Sequence, residues 1–170
     1  KALFTEQEIG QMRDVALKYF FDGGGFEDST GRAKPDWILE DSLSDICQIL
    51  DSKNIPQLIS GLVGREVSFA GHNDLHLNRN VGWHKDRLNN EARKFERHNP
   101  WSCVDGERMM IYKINIYLQD HSRNFDGIMV SPGSHKHESL DVKECMHVGP
   151  GIGDAVLFDQ RITHCAQWSG

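Results

Sequence analysis

The chain has no apolar run approaching the roughly 20 residues that a membrane-spanning helix needs, so a helical span is excluded. It has no long basic block, and its net charge is -6, which argues against a nucleic-acid surface. Its four cysteines, Cys47, Cys103, Cys145 and Cys165, form neither a CxxC nor a zinc-finger spacing. They read as reduced thiols of a cytoplasmic protein, with Cys47 on an apolar helix face and Cys165 as packing. There is no internal repeat and no low-complexity tract. The opening residues turn polar too soon for a signal peptide. Gly23-Gly24-Gly25 has no following Lys-Ser/Thr and no preceding strand, so it reads as a flexible loop and not as a phosphate cradle. The chain also lacks an initiator Met and stops within a segment that reads as structured. Both ends are therefore expected to be trimmed.

What is present suits one domain with one core: 170 residues, 38% hydrophobic and 26% charged. Thr5-Glu6-Gln7-Glu8 is a capping box that opens a helix. Ile9, Met12, Val15, Ala16, Tyr19 and Phe20 make its apolar stripe, and the triple glycine ends it. A second helix fits residues 37 to 50, with Leu39, Leu43, Ile46, Ile49 and Leu50 inward, and Pro56 starts a short third one through Leu62. These helices, about residues 1–64, read as a cover on one face of a sheet.

From Glu66 the pattern changes to short β-branched and aromatic runs broken by turn residues. Strands are expected at 66–70, 74–78, 108–119, 128–131, 146–148, 155–158 and 163–168. Such spacing indicates an antiparallel sandwich or barrel over about 65–170. The charged segment 88–105 has no periodic apolar face and reads as a loop, in the position of a lid. The turn 149–154 needs only turn chemistry.

Chemistry-bearing residues concentrate in two segments, Trp83-His84-Lys85-Asp86 and Gly153 to His164. An HxD on an extended stretch puts both side chains on one face. With His164 the set becomes two imidazoles and one carboxylate, the ligand types of a non-haem Fe(II) facial triad. The nine histidines include a second HxD, His72-Asn73-Asp74, as a competing pair. Between the two segments lie Tyr117-Leu118-Gln119-Asp120 and Val130-Ser131-Pro132-Gly133-Ser134-His135-Lys136.

Taken in order, W-H-x-D, Y-L-x-D, V-x-P-G-S-H-K and G-D-x-V-L-F-D-x-R-x-x-H, over roughly residues 66 to 168, this chain resembles the phytanoyl-CoA dioxygenase-like family of Fe(II)/2-oxoglutarate oxygenases. The resemblance implies a mainly β fold with N-terminal helices, a double-stranded β-helix of the jelly-roll or cupin-like kind. It implies that His84, Asp86 and His164 hold Fe(II), that 2-oxoglutarate is cosubstrate, and that O2 and a small organic molecule are the other partners, with no nucleic acid and no membrane. Halogenating relatives lack the carboxylate, so Asp86 points to hydroxylation. Lys113 and Asn115 share a strand face, and Asn115 with Leu75 falls where relatives contact the cosubstrate. The family's Arg beyond the distal histidine has no counterpart before Gly170, so the resemblance implies at least one further strand after Gly170 with an Arg or Lys within about five residues, and Ala166 stands where a hydroxyl residue is common. Arg87 and Arg161 flank the ligands and are candidates for an acidic substrate. Two other readings stand beside this one: a cupin-like metal isomerase or 2-oxoglutarate-independent oxygenase, and a non-catalytic jelly-roll binding module.

Overall fold

A computed structural model describes residues 3–69, 71–86, 110–123 and 126–167. They fall into two compact units, Lys1–Arg79 and Asn80–Gly170. No helix among the described residues is long and apolar enough to cross a membrane.

In the first unit, α1 (Glu6–Phe21) starts at the expected capping box: Glu8 N–H donates to Thr5 Oγ1 at 3.2 Å, and Thr5 N–H donates to the Glu8 carboxylate at 2.8 Å. Ile9, Met12, Ala16 and Phe20 are its buried face, as the 3.6-residue period requires. The triple glycine is a built turn instead of a flexible loop. Gly24 N–H donates to the Tyr19 carbonyl at 2.9 Å, and a Cβ on Gly25 would meet the Ala33 carbonyl oxygen at 2.6 Å. That close approach lets the chain enter β1 (Phe26–Asp28), which pairs antiparallel with β2 (Gly31–Pro35). Polar side chains hid this hairpin from the apolar pattern. Its signal is the Asp28-Ser29-Thr30-Gly31 turn, where Thr30 N–H donates to Asp28 Oδ1 at 2.8 Å.

The helix expected over 37–50 is broken. Trp37–Leu39 and Asp41–Leu43 are 3-10 turns, separated at Glu40 by extended backbone, and α2 runs only from Ser44 to Ser52. Asn73 fixes the break by accepting Asp36 N–H on its carbonyl at 2.7 Å and Ile38 N–H on its side chain at 3.0 Å. Trp37, Leu43 and Ile46 are therefore buried while Leu39 is 82% exposed, out of phase with α2. Cys47 is half-buried instead of fully in the core. The third helix, α3 (Ile55–Val63), is as expected, with Pro in its first turn and Gly64 as a left-handed cap. Residues 66–69 have no ladder partner, so the strand expected there is absent among the described residues. The strand β3 (Asp74–Leu77) joins β2, giving a sheet of order β1-β2-β3.

Among the described residues the second unit is built from antiparallel strands and one 3-10 turn, Ser134–Lys136. It contains β4 (Val81–His84), β5 (Tyr112–Ile116), β6 (Gly127–Ser131), β7 (Met146–Val148), β8 (Ala155–Asp159) and β9 (Thr163–Gln167). One sheet has the order β4-β9-β6-β7, and β5 pairs with β8 in another. Ile128 and Val130 of the larger sheet and Phe158 of the smaller are buried together, with Tyr117, Val148, Val156 and Ile162 packed against them. The apolar core of this unit therefore lies between the two sheets. Cross-strand partners point to the same face, so the Val130–His164 pairing puts His164 on that inner face. The whole is mainly β with N-terminal helices, and the described strands do not close a barrel. The 149–154 turn is side-chain capped: Gly151 N–H donates to Asp154 Oδ2 at 2.8 Å, and Gly153 takes φ 80°.

Candidate metal centre

Two neighbouring strands bring the ligands together. His84 is the last residue of β4 and stands directly opposite His164 of β9, with ring centroids 4.2 Å apart. The register slips between Val81 and His84, a local irregularity of the kind that re-aims side chains beside functional sites. Alternation then turns Lys85 away and returns Asp86 to the histidine face. Asp86 Oδ1 lies 3.6 Å from His84 Nε2, and Asp86 Oδ2 lies 3.9 Å from His164 Nε2. All three ligand atoms fall within 4.8 Å of one another, and this is the one such group of three among the described residues.

The donors fit a cation. Ligand bonds of about 2.0–2.2 Å, meeting at wide angles, place donor atoms about 3–4 Å apart. Each imidazole donates its Nδ1–H to a carbonyl two residues back, His84 to Gly82 at 2.8 Å and His164 to Ile162 at 2.9 Å. That fixes the tautomer and leaves both Nε2 lone pairs facing Asp86, the outer-shell arrangement of histidine ligands. Asp86 Oδ2 is buried and accepts no hydrogen bond among the described residues. A buried carboxylate oxygen without a donor is costly, and a metal ion would satisfy it.

The charges agree. Burial alone would raise the Asp86 carboxyl, but His84, the Lys113 ammonium and His164 together hold it at about 2. Burial pushes His164 down to about 4, so it is neutral at ordinary pH as a ligand must be. His84 is raised, chiefly by Asp86 beside it.

Lys113 comes from the facing sheet, and its Nζ donates to Asp86 Oδ1 at 3.2 Å. Asn115 shares its face two residues on, beside Tyr117, whose hydroxyl is raised by burial with the Asn115 side chain opposing. Phe158, paired with Lys113 across the ladder, sets its ring edge against His164 at 4.9 Å between centroids. Lys113 is thus at the site, with Asn115 on the same face. Leu75 is on β3 of the first unit, half-buried. Arg87, the 88–105 segment and Trp168 lie outside the described residues.

Arg161, the candidate for an acidic substrate, is 4% exposed, and its guanidinium pairs with Asp159, with Nε at 2.9 Å from Oδ1 and a terminal nitrogen on Oδ2. A buried guanidinium needs a fixed counter-charge, and Asp159, two residues back across the same tight turn, supplies it. The competing pair His72/Asp74 is 3.9 Å apart, with His72 side chain 62% exposed, and gathers no third ligand among the described residues. Cys165 is 1% exposed and alternates away from His164, which agrees with packing.

Two residues at the site carry no functional signal in the sequence. Lys85, between the two β4-side ligands, is 4% exposed, and its Nζ donates to the Ser134 and Arg161 carbonyls at 2.6 and 2.7 Å. Burial pulls its ammonium below the usual lysine range. Ser134 Oγ donates to the Ser131 carbonyl at 2.6 Å and accepts Thr163 N–H at 2.7 Å. The Pro-Gly-Ser-His run is therefore a strut under β9. Only the pairing of distant segments reveals either role.

No family model matches the chain, and no curated protein matches it. Among solved structures it is similar to AviO1 from Streptomyces viridochromogenes Tue57, with TM-score 0.70 and 18% identity over 97% of this chain and 79% of that one. At that identity the likeness speaks for the fold.

Proposed function

We propose that the protein is an Fe(II)/2-oxoglutarate-dependent dioxygenase, a hydroxylase of a small organic molecule, on a double-stranded β-helix fold. The observation that carries this reading is the convergence of His84, Asp86 and His164, with both Nδ1 positions occupied by carbonyls and one Asp86 oxygen left without a donor. Two imidazoles and one carboxylate hold iron from one side and leave coordination positions for co-reactants. When bound, Fe(II) with 2-oxoglutarate and O2 supplies oxidation of a substrate C–H bond, with succinate and CO2 released.

The chain's own residues bind, orient and shield. The Gly82 and Ile162 carbonyls keep both rings in the ligating tautomer. Phe158 walls His164 with an apolar ring. Lys113 pairs with Asp86, and with a cation held by the triad its ammonium would be available to a cosubstrate carboxylate, with Asn115 on the same strand face. An intact Asp86 carboxylate favours hydroxylation over halogenation.

The test is anaerobic reconstitution with Fe(II), addition of O2, and measurement of succinate formed from 2-oxoglutarate. Metal-dependent succinate that disappears in Asp86→Ala and His164→Ala is the expected result. Metal binding without succinate would overturn the 2-oxoglutarate reading in favour of a cupin-like isomerase or another oxygenase. Absence of metal binding would leave a binding module.

A further inference from the structure

We propose that Lys85 is a positioning residue of the metal centre, holding the His84–Asp86 segment in place against the turn that precedes His164. The inference rests on the reading of His84, Asp86 and His164 as ligands. The strand ladder by itself does not fix this geometry. The β4–β9 register slips just before His84, β4 ends at His84, and Asp86 lies beyond the last ladder pair. Asp86 is thus delivered by backbone that no strand partner holds among the described residues.

Lys85 supplies the missing tie. Alternation sends its side chain to the face opposite the two ligands it separates. There it is 4% exposed and donates short, charge-assisted hydrogen bonds to two carbonyls of different segments, Ser134 at 2.6 Å and Arg161 at 2.7 Å. Both acceptors are themselves held. Asp159 accepts from Arg161 backbone N–H and from Nε, each at 2.9 Å, which shapes the turn and aims the Arg161 carbonyl. Ser134 Oγ accepts Thr163 N–H at 2.7 Å, one residue before His164. The circuit closes from Asp86 through Lys85 to the turn that leads into β9 and to the turn after β6 that holds Thr163, and so to His164. A buried ammonium is expensive to desolvate, and lysines ordinarily keep their heads in water. A residue needed only to fill space on this face would be apolar. A cation whose donors bridge two carbonyls fixes a distance, which packing alone does not.

The experiment measures Mn(II) affinity of the metal-free full chain by electron paramagnetic resonance, and the visible ligand-field spectrum of the Co(II) form. The proteins are the parent, Lys85→Met, Lys85→Arg and Ile128→Val, a core control lowering stability without touching the circuit. Lys85→Met is expected to weaken Mn(II) binding about 10- to 100-fold, as loss of outer-shell support does, and to change the Co(II) spectrum. Lys85→Arg, which keeps charge and paired donors, is expected to recover part of both. Parent-like affinity and spectrum in Lys85→Met overturn the proposal, as does a loss no greater than that of Ile128→Val. If Lys85→Met does not fold, Lys85→Gln, shorter and neutral, carries the same comparison with the same overturning result. A parent that binds neither metal defeats the triad reading and this inference together. A parent that binds both, with Lys85→Met equal to it, defeats the inference alone.

Discussion

The first unit buries Phe4, Ile9, Met12, Phe20, Trp37 and Leu43 with other apolar residues, and its ion pairs, such as Lys53–Glu8 at 2.6 Å, lie nearer the surface. The second unit has a smaller apolar core around Ile128, Val130 and Phe158, yet every buried polar residue among those described, from Lys85 to His164, belongs to it. Most buried polar atoms without a partner are there too, including Asp86 Oδ2 and Thr163 Oγ1. Apolar burial stabilises a fold at little risk, whereas each buried polar group destabilises it unless paired. The difference therefore separates a unit held by apolar burial from one in which polar side chains are held in place beside the candidate metal centre.

The largest effect that would test this contrast is Leu43→Ala in the first unit. Leu43 is fully buried, and its truncation is expected to cost about 2–5 kcal/mol in urea unfolding. Mn(II) affinity should stay unchanged, since all three ligands belong to the second unit; a parallel fall in affinity would break the division. Next is metal removal. At a free metal concentration of 100 times the dissociation constant, the parent should gain about 2.7 kcal/mol over its chelated form. Asp86→Ala should gain none, which hydrogen exchange of β4 and β9 amides would show.

A smaller effect sharpens the polar side of the comparison. Ser134→Ala removes the acceptor of the buried Thr163 N–H and should cost roughly 1–3 kcal/mol, with metal affinity falling alongside. The smallest concerns acid. Lys53 beside Glu8 holds that carboxyl at about 2, below its ordinary 4.5. A depressed carboxylate contributes stability that is full above its unfolded value and is lost as pH falls through the folded one. Glu8→Gln keeps the cap but not the charge, so its urea midpoint should fall less than the parent's between about pH 5 and 2. Identical pH profiles would remove Glu8 as a contributor.

The legible parts of the sequence were those with a local physical code. The capping box, the Ile9–Phe20 stripe and the proline-started α3 follow from helix geometry, and the alternating runs gave most strands of the second unit. The cluster that could hold a metal ion was legible because HxD spacing places two donors on one strand face, and because the donor types themselves are specific. Hairpin β1–β2 was not, since its strands, exposed β1 and half-buried β2, carry no apolar alternation; only its turn spoke. The broken second helix was missed because Asn73, 33 residues after Glu40 in the sequence, captures its backbone. The pairing of Arg161 with Asp159 was not legible, because a charge next to a candidate ligand looks free until its turn is folded.

By itself the sequence determined which side chains can ligate, that His84 and Asp86 share a face, and that β strands dominate after Glu66, because residue chemistry and the two-residue strand period are local properties. Only the tertiary structure decided that His164 stands opposite His84, that Lys113 reaches Asp86 from another sheet, and that Lys85 is buried against two turns. Those outcomes depend on strand register and sheet packing, which are set by which distant segments pair, and no short stretch of sequence encodes its partner.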